Sequence, residues 1–108
     1  MSIKVLEQIR QELLDCRAVS SNREFCEGWL AKDESYLRVL RFHGLPPSAD
    51  ALGTCASKLG YYAYHLRHSD KPEHLDWVER FLRLRNICFD TIERQGKSKW
   101  MTPTRMGL

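Results

Sequence analysis

What the chain lacks narrows the field first. Its N-terminus has no apolar run of the length a signal peptide or membrane span requires, so a cytoplasmic protein with no membrane partner is expected. The four cysteines, Cys16, Cys26, Cys55 and Cys88, form no C-x-x-C pair and stand at no finger-like spacing. Buried, reduced thiols acting as small hydrophobes are therefore expected, with no structural metal. Glycine-rich phosphate loop, nucleophile elbow and H-E-x-x-H motif are all missing, so neither an enzyme nor a cofactor is expected. The sequence has no internal repeat and no low-complexity tract. Its formal net charge is only +3, which permits nucleic-acid binding without arguing for it.

What is present suits one globular domain. The 108 residues are 43% hydrophobic, and a chain of this length buries about two-thirds of its unfolded surface. Ile3, Leu6, Ile9 and Leu13 recur at helical spacing and predict a first helix over residues 2–14, followed by a loop over 15–20. Ser21 stands three residues before Glu24, the spacing of a capping box. Phe25, Cys26, Trp29 and Leu30 then form one apolar face of a short second helix. Asp33 is a suitable N-cap for a third helix over 34–43, with Tyr36, Leu37, Leu40 and Val39 expected inward. Gly44 and Pro46-Pro47 end it. Ser48 caps a fourth, whose buried stripe is Ala51, Leu52, Cys55, Ala56 and Leu59. That stripe extends through Tyr62, Ala63 and Leu66 to about Arg67, with a bend or close packing expected near Gly53 or Gly60.

Two short helices joined tightly, with a third across them, is a helix-turn-helix layout. Pro47-Ser48, Leu52, Ala56 and Leu59-Gly60 resemble the run that follows the recognition helix in Cro/repressor-type regulators. Phe25-Cys26 resembles that family's aromatic-plus-small pair, and Ser35-Tyr36-Leu37 with Leu40 resembles the recognition helix. Leu30-Ala31 stands where the family has a turn glycine, and the turn is one residue longer. The resemblance runs from about Val5 to Gly60. It implies a DNA-binding domain over residues 1–69.

Pro72 then opens a long helix over 73–94, ended by Gln95-Gly96. Leu75, Val78, Leu82, Phe89 and Ile92 are expected to pack on the N-terminal helices. Trp77, Leu84 and Cys88 widen the apolar arc beyond one face and are expected to form a homodimer interface. Residues 70–95 would thus be the packing and dimerisation helix, and 96–108 a flexible basic tail. The expected architecture is all-α: five helices, with an N-terminal helix-turn-helix domain and a long C-terminal helix.

Double-stranded DNA is the expected partner. Arg38 is placed to donate to guanine O6 and N7. Ser35, Lys32, Arg41 and His43 suit base edges or phosphate, and Asn22 and Arg23 lie at the start of the preceding helix. Lys97, Lys99 and Arg105 would follow the DNA backbone from the tail. Asp33 and Glu34 act against phosphate. They leave open an alternative, a protein-interaction module such as an adaptor or an antitoxin-like or phage-derived inhibitor. Tyr61, Tyr62, Tyr64 and Trp77 would suit a protein partner. His65, His68 and His74 could share zinc only with imported ligands, so solvated histidines are expected. Asp76, Glu79, Asp90 and Glu93 among Arg80, Arg83 and Arg94 suggest surface pairing.

Overall fold

Leu6, Ile9 and Leu13 lie one turn apart, and they are the buried stripe of α1, Lys4–Asp15, in a computed structural model that describes residues 3–107. The expected start of this helix at Ser2 lies outside the described residues. Just beyond α1, Arg17 adopts φ 64°, which lets Ala18 N–H reach back to the Leu13 carbonyl at 2.8 Å. That left-handed closing residue is usually glycine.

Helix α2 starts at Asn22–Glu24 and continues without interruption as a π-helical turn over Phe25–Trp29. Helix α3 spans Tyr36–His43, α4 Ala49–Arg67 and α5 Glu73–Trp100. The described residues contain helices and no strand, so the protein is all-α with a long C-terminal helix.

Helices α4 and α5 pack as an antiparallel pair. Cys55 meets Cys88, Gly60 faces Arg85, and Pro47 accepts a 2.8 Å hydrogen bond from Gln95. A single buried cluster draws residues from all five helices. Cys26, Cys55 and Cys88 are buried free thiols within it, and Cys16 is half-buried. Its hydrogen bond to Cys88, together with burial, pushes the Cys55 thiol up. The overall form is a flat slab of 55 × 29 × 17 Å, its long dimension set by α5, whose 28 residues span about 42 Å at 1.5 Å each.

Several expectations change at this level. Helix α4 runs through Gly53 and Gly60 without a break. Helix α3 begins at Tyr36, because Asp33 accepts from Ser35 N–H at 2.9 Å and spends its carboxylate on the turn before the helix. Val39 faces solvent. The largest change concerns α5, whose inward seam is Val78, Phe81, Leu84, Cys88 and Thr91. Leu75 and Phe89 are instead 56% and 43% exposed. Leu84 and Cys88 are completely buried within the chain, so they are core and cannot form a subunit interface. Gln95-Gly96 does not end α5, which continues to Trp100 before the turns over residues 102–107. Lys97 and Lys99 thus belong to a helix rather than to a loose tail.

Candidate nucleic-acid interface

The α2–α3 unit is shaped by local hydrogen bonds. Ser21 Oγ accepts from Glu24 N–H at 3.1 Å, as the capping spacing implies. Glu24 returns one residue further back than a regular capping box: its Oε1 accepts from Ser20 N–H at 2.7 Å and Ser20 Oγ at 2.9 Å. These bonds hold the Glu24 carboxyl below its ordinary range. The π turn closes with Leu30 N–H on the Phe25 carbonyl at 3.2 Å. An i→i+5 turn accommodates one more residue than an α turn. Ala31 then takes φ 56° where glycine would be easier, and Lys32 N–H reaches the Cys26 carbonyl at 2.9 Å. Trp29 and Leu30 are thereby buried together.

The candidate DNA contacts divide into engaged and open groups. Asn22 uses both ends of its amide: Nδ2 donates to the Glu34 carbonyl at 3.0 Å, and Oδ1 accepts from Arg10 at 2.9 Å. Arg23 pairs with Glu27 at 3.3 Å, and Lys32 with Asp50 at 2.9 Å. Asp50 holds the Lys32 ammonium above its usual range. Ser35 Oγ donates to Asp33, which keeps that carboxyl below its ordinary value. Arg41 is ion-paired to Glu7 of α1. Arg38 is exposed, and neither a hydrogen bond nor an ion pair from it occurs among the described residues. His43 is exposed with its ring edge-on to Phe42, centroids 5.0 Å apart.

At the other end of the chain, Lys97 lies 3.9 Å from Glu93, and Arg105 folds back to donate to the Lys99 carbonyl at 2.6 Å. The Gln95–Pro47 bond sets this end of α5 beside the α3–α4 connection. Trp77 is half-buried, its ring 5.9 Å from Phe81.

Two features of this surface go beyond the residues singled out in the sequence. Phe42, 83% exposed, stands on the solvent face of α3 with Val39. A wheel of 3.6 residues per turn would have found it, since it falls opposite Leu37 and Leu40. Lys58 crosses from α4 to the Gly28 carbonyl at 2.6 Å, a contact for which the sequence has no local signal.

Two of the histidines meet tyrosines in tilted or edge-on ring contacts, and a third meets a serine. Tyr61 and His65 rings are 4.2 Å apart, Tyr64 and His68 rings 4.9 Å, and His74 Nδ1 meets Ser69 Oγ at 2.7 Å. Among the described residues no group of three histidine, cysteine or acidic side chains is placed to hold a metal ion. No described helix is long and apolar enough to cross a membrane.

These observations define an all-α protein in which a short-helix pair is braced by a long antiparallel helical hairpin. The chain belongs to DUF6626, a family of unknown function, whose model matches residues 6–101. No curated protein and no solved structure matches it significantly.

Proposed function

We propose that this protein is a small DNA-binding transcriptional regulator that lays α3 in the major groove of a short operator. Arg38 carries the reading. It is an exposed guanidinium in α3 with no hydrogen bond or ion pair among the described residues, and a guanidinium so presented can donate to guanine O6 and N7 together. The resemblance of residues 5–60 to Cro/repressor-type regulators supports the same assignment. Arg41 of α3, Arg23 of α2 and Lys32 of the turn between these helices stand in ion pairs whose arginines are well exposed. Exposed pairs contribute only about 0–1 kcal/mol each, so a phosphate can replace the carboxylate. Ser35 and His43 border the same helix. Asn22 braces the turn, since its amide is spent. Lys97, Lys99 and Arg105 supply further backbone cations from the α5 end fastened beside the α3–α4 connection.

The regulator acts in the cytoplasm as a homodimer on a two-fold operator, without catalysis or cofactor. Phe89 and Leu75, exposed on α5, support a dimer made on that helix, with half-buried Trp77 nearby in sequence. Selection of bound sequences from random duplexes at two salt concentrations tests the reading. A common enriched motif is expected. Weak, motif-free binding would overturn it.

A second reading is favoured by Phe42. Together with Val39, and with Leu45 just past the helix, which are also exposed, it makes the α3 face more apolar than DNA reading needs. Beside Asp33 and Glu34, that face suits a protein partner. Failure of the duplex selection would favour it.

A further inference from the structure

Three helices contribute to an aromatic cavity away from the α3 face. Trp29 of α2, Tyr62 of α4, and Trp77 and Phe81 of α5 line a space of about 300 Å³, together with Leu66 and Ala18. Trp29 and Phe81, 3% and 2% exposed, close its floor, while half-buried Trp77 and exposed Tyr62 form its sides. Trp29 lies 5.7 Å from Tyr62 and 6.2 Å from Phe81, and Phe81 lies 5.9 Å from Trp77. Mostly apolar walls with a few convergent polar groups are the mark of a small-ligand site, and about 300 Å³ is the lower end of that class. The volume suits one or two fused rings.

The polar groups at its edge are Arg17, Glu24 and Lys58. The Glu24 carboxylate is already engaged by Ser20. The Lys58 ammonium sits 4.7 Å from the Trp29 ring centroid and donates to the Gly28 carbonyl. That uses one of its three donors. Arg17 is exposed, and its side chain makes no hydrogen bond or ion pair among the described residues. It also occupies the left-handed position after α1, φ 64°, where glycine would close the helix without strain. A strained residue with a free charged head beside a cavity points to use of that head. Two cations with donors to spare face one occupied carboxylate, so the edge favours an anion.

The geometry points to a binding site for a small planar aromatic carboxylate, its ring between Tyr62 and Trp77 over the floor that Trp29 and Phe81 close, and its carboxylate held by Arg17 and Lys58. This inference does not depend on DNA binding. Its test uses the full ¹⁵N-labelled chain, whose three tryptophans report separately through their indole N–H signals: Trp29 and Trp77 line the cavity and Trp100 does not. The probes are 1-naphthoate, the neutral 1-naphthylmethanol and the cationic 1-naphthylmethylamine. Saturable shifts of Trp29 and Trp77 with Trp100 unmoved are expected, and 1-naphthoate should bind about tenfold tighter than the alcohol (roughly 1.4 kcal/mol). The amine should bind most weakly. Arg17→Gly removes the guanidinium while relieving the backbone, and Lys58→Met keeps the stem without the charge. At least one should abolish the preference for carboxylate over alcohol while leaving the alcohol's affinity unchanged. No saturable shift, an equal shift at Trp100, equal affinity for the three probes, or an unchanged preference in both variants would overturn the inference.

Discussion

Asn22 Nδ2 donates to the Glu34 carbonyl at 3.0 Å, across the turn between α2 and α3. The same amide accepts from Arg10 of α1 through Oδ1, so one side chain ties three elements together. Asn22→Ala should lower stability by about 0.5–1.5 kcal/mol. It should weaken DNA binding equally on all sequences, because α3 loses its brace. Denaturant melts beside binding curves check this. Weakened binding with an unchanged melt would make Asn22 a direct phosphate contact instead.

Arg38→Ala should cost about 1–3 kcal/mol at the selected operator and relax preference at one base position. Affinity for random duplex should scarcely change, and the fold should remain intact because the side chain is exposed. Fluorescence anisotropy on operator and scrambled duplexes measures both. Equal loss on both duplexes would make Arg38 a phosphate contact, and no loss on either would take α3 out of the groove.

Glu12 clips α1 to α5 by accepting two Arg83 nitrogens at 2.6 and 3.1 Å. That hydrogen bonding, against a smaller opposing effect of burial, holds its carboxyl below the ordinary 4.5. A carboxyl lowered on folding stabilises fully above its unfolded value and loses that contribution as pH falls through the folded one. Glu12→Gln should therefore cost up to about 1 kcal/mol at pH near 7. The gap from the parent should close as pH drops below 4.5. Urea midpoints across that range test it, and a constant gap would assign the effect to packing.

Gly53 and Gly60 both lie inside α4, yet a Cβ at Gly53 meets nothing within 4 Å whereas one at Gly60 comes 3.0 Å from Arg85 Nε. Gly53→Ala should stabilise the protein by about 0.4–1 kcal/mol through reduced freedom of the unfolded chain. Gly60→Ala should gain less, since Arg85 must leave its place 4.8 Å over the Phe89 ring. Parallel thermal melts rank the two. Equal gains would mean that Arg85 moves without cost.

Leu84→Ala should lower stability by about 2–5 kcal/mol, to the same extent at every protein concentration, because Leu84 is buried within one chain. Phe89→Glu should change the stability of the monomer little but shift light scattering from dimer to monomer. A parent protein that is already monomeric at micromolar concentration would remove the dimer from the proposed function.

The sequence by itself determined the helical class and most helix starts and stops. Ser21, Ser48 and Gly44 act within a turn of their own position: each hydroxyl accepts a nearby amide hydrogen, and Gly44 closes α3 at φ 62°. It also made Arg38 legible as an outward residue of α3. Tertiary structure decided what lies beyond one turn. Arg41's partner Glu7, Lys32's partner Asp50 and Lys58's acceptor Gly28 come from distant segments, and spacing along the chain cannot pair them. It also decided which side of α5 turned inward. That helix carries apolar residues over more than one face, so its own periodicity permits several seams. The small residues of α4, with Cys55 and Gly60 facing Cys88 and Arg85, selected Val78, Phe81, Leu84 and Cys88 because close packing of two helices rewards the face that fits its neighbour.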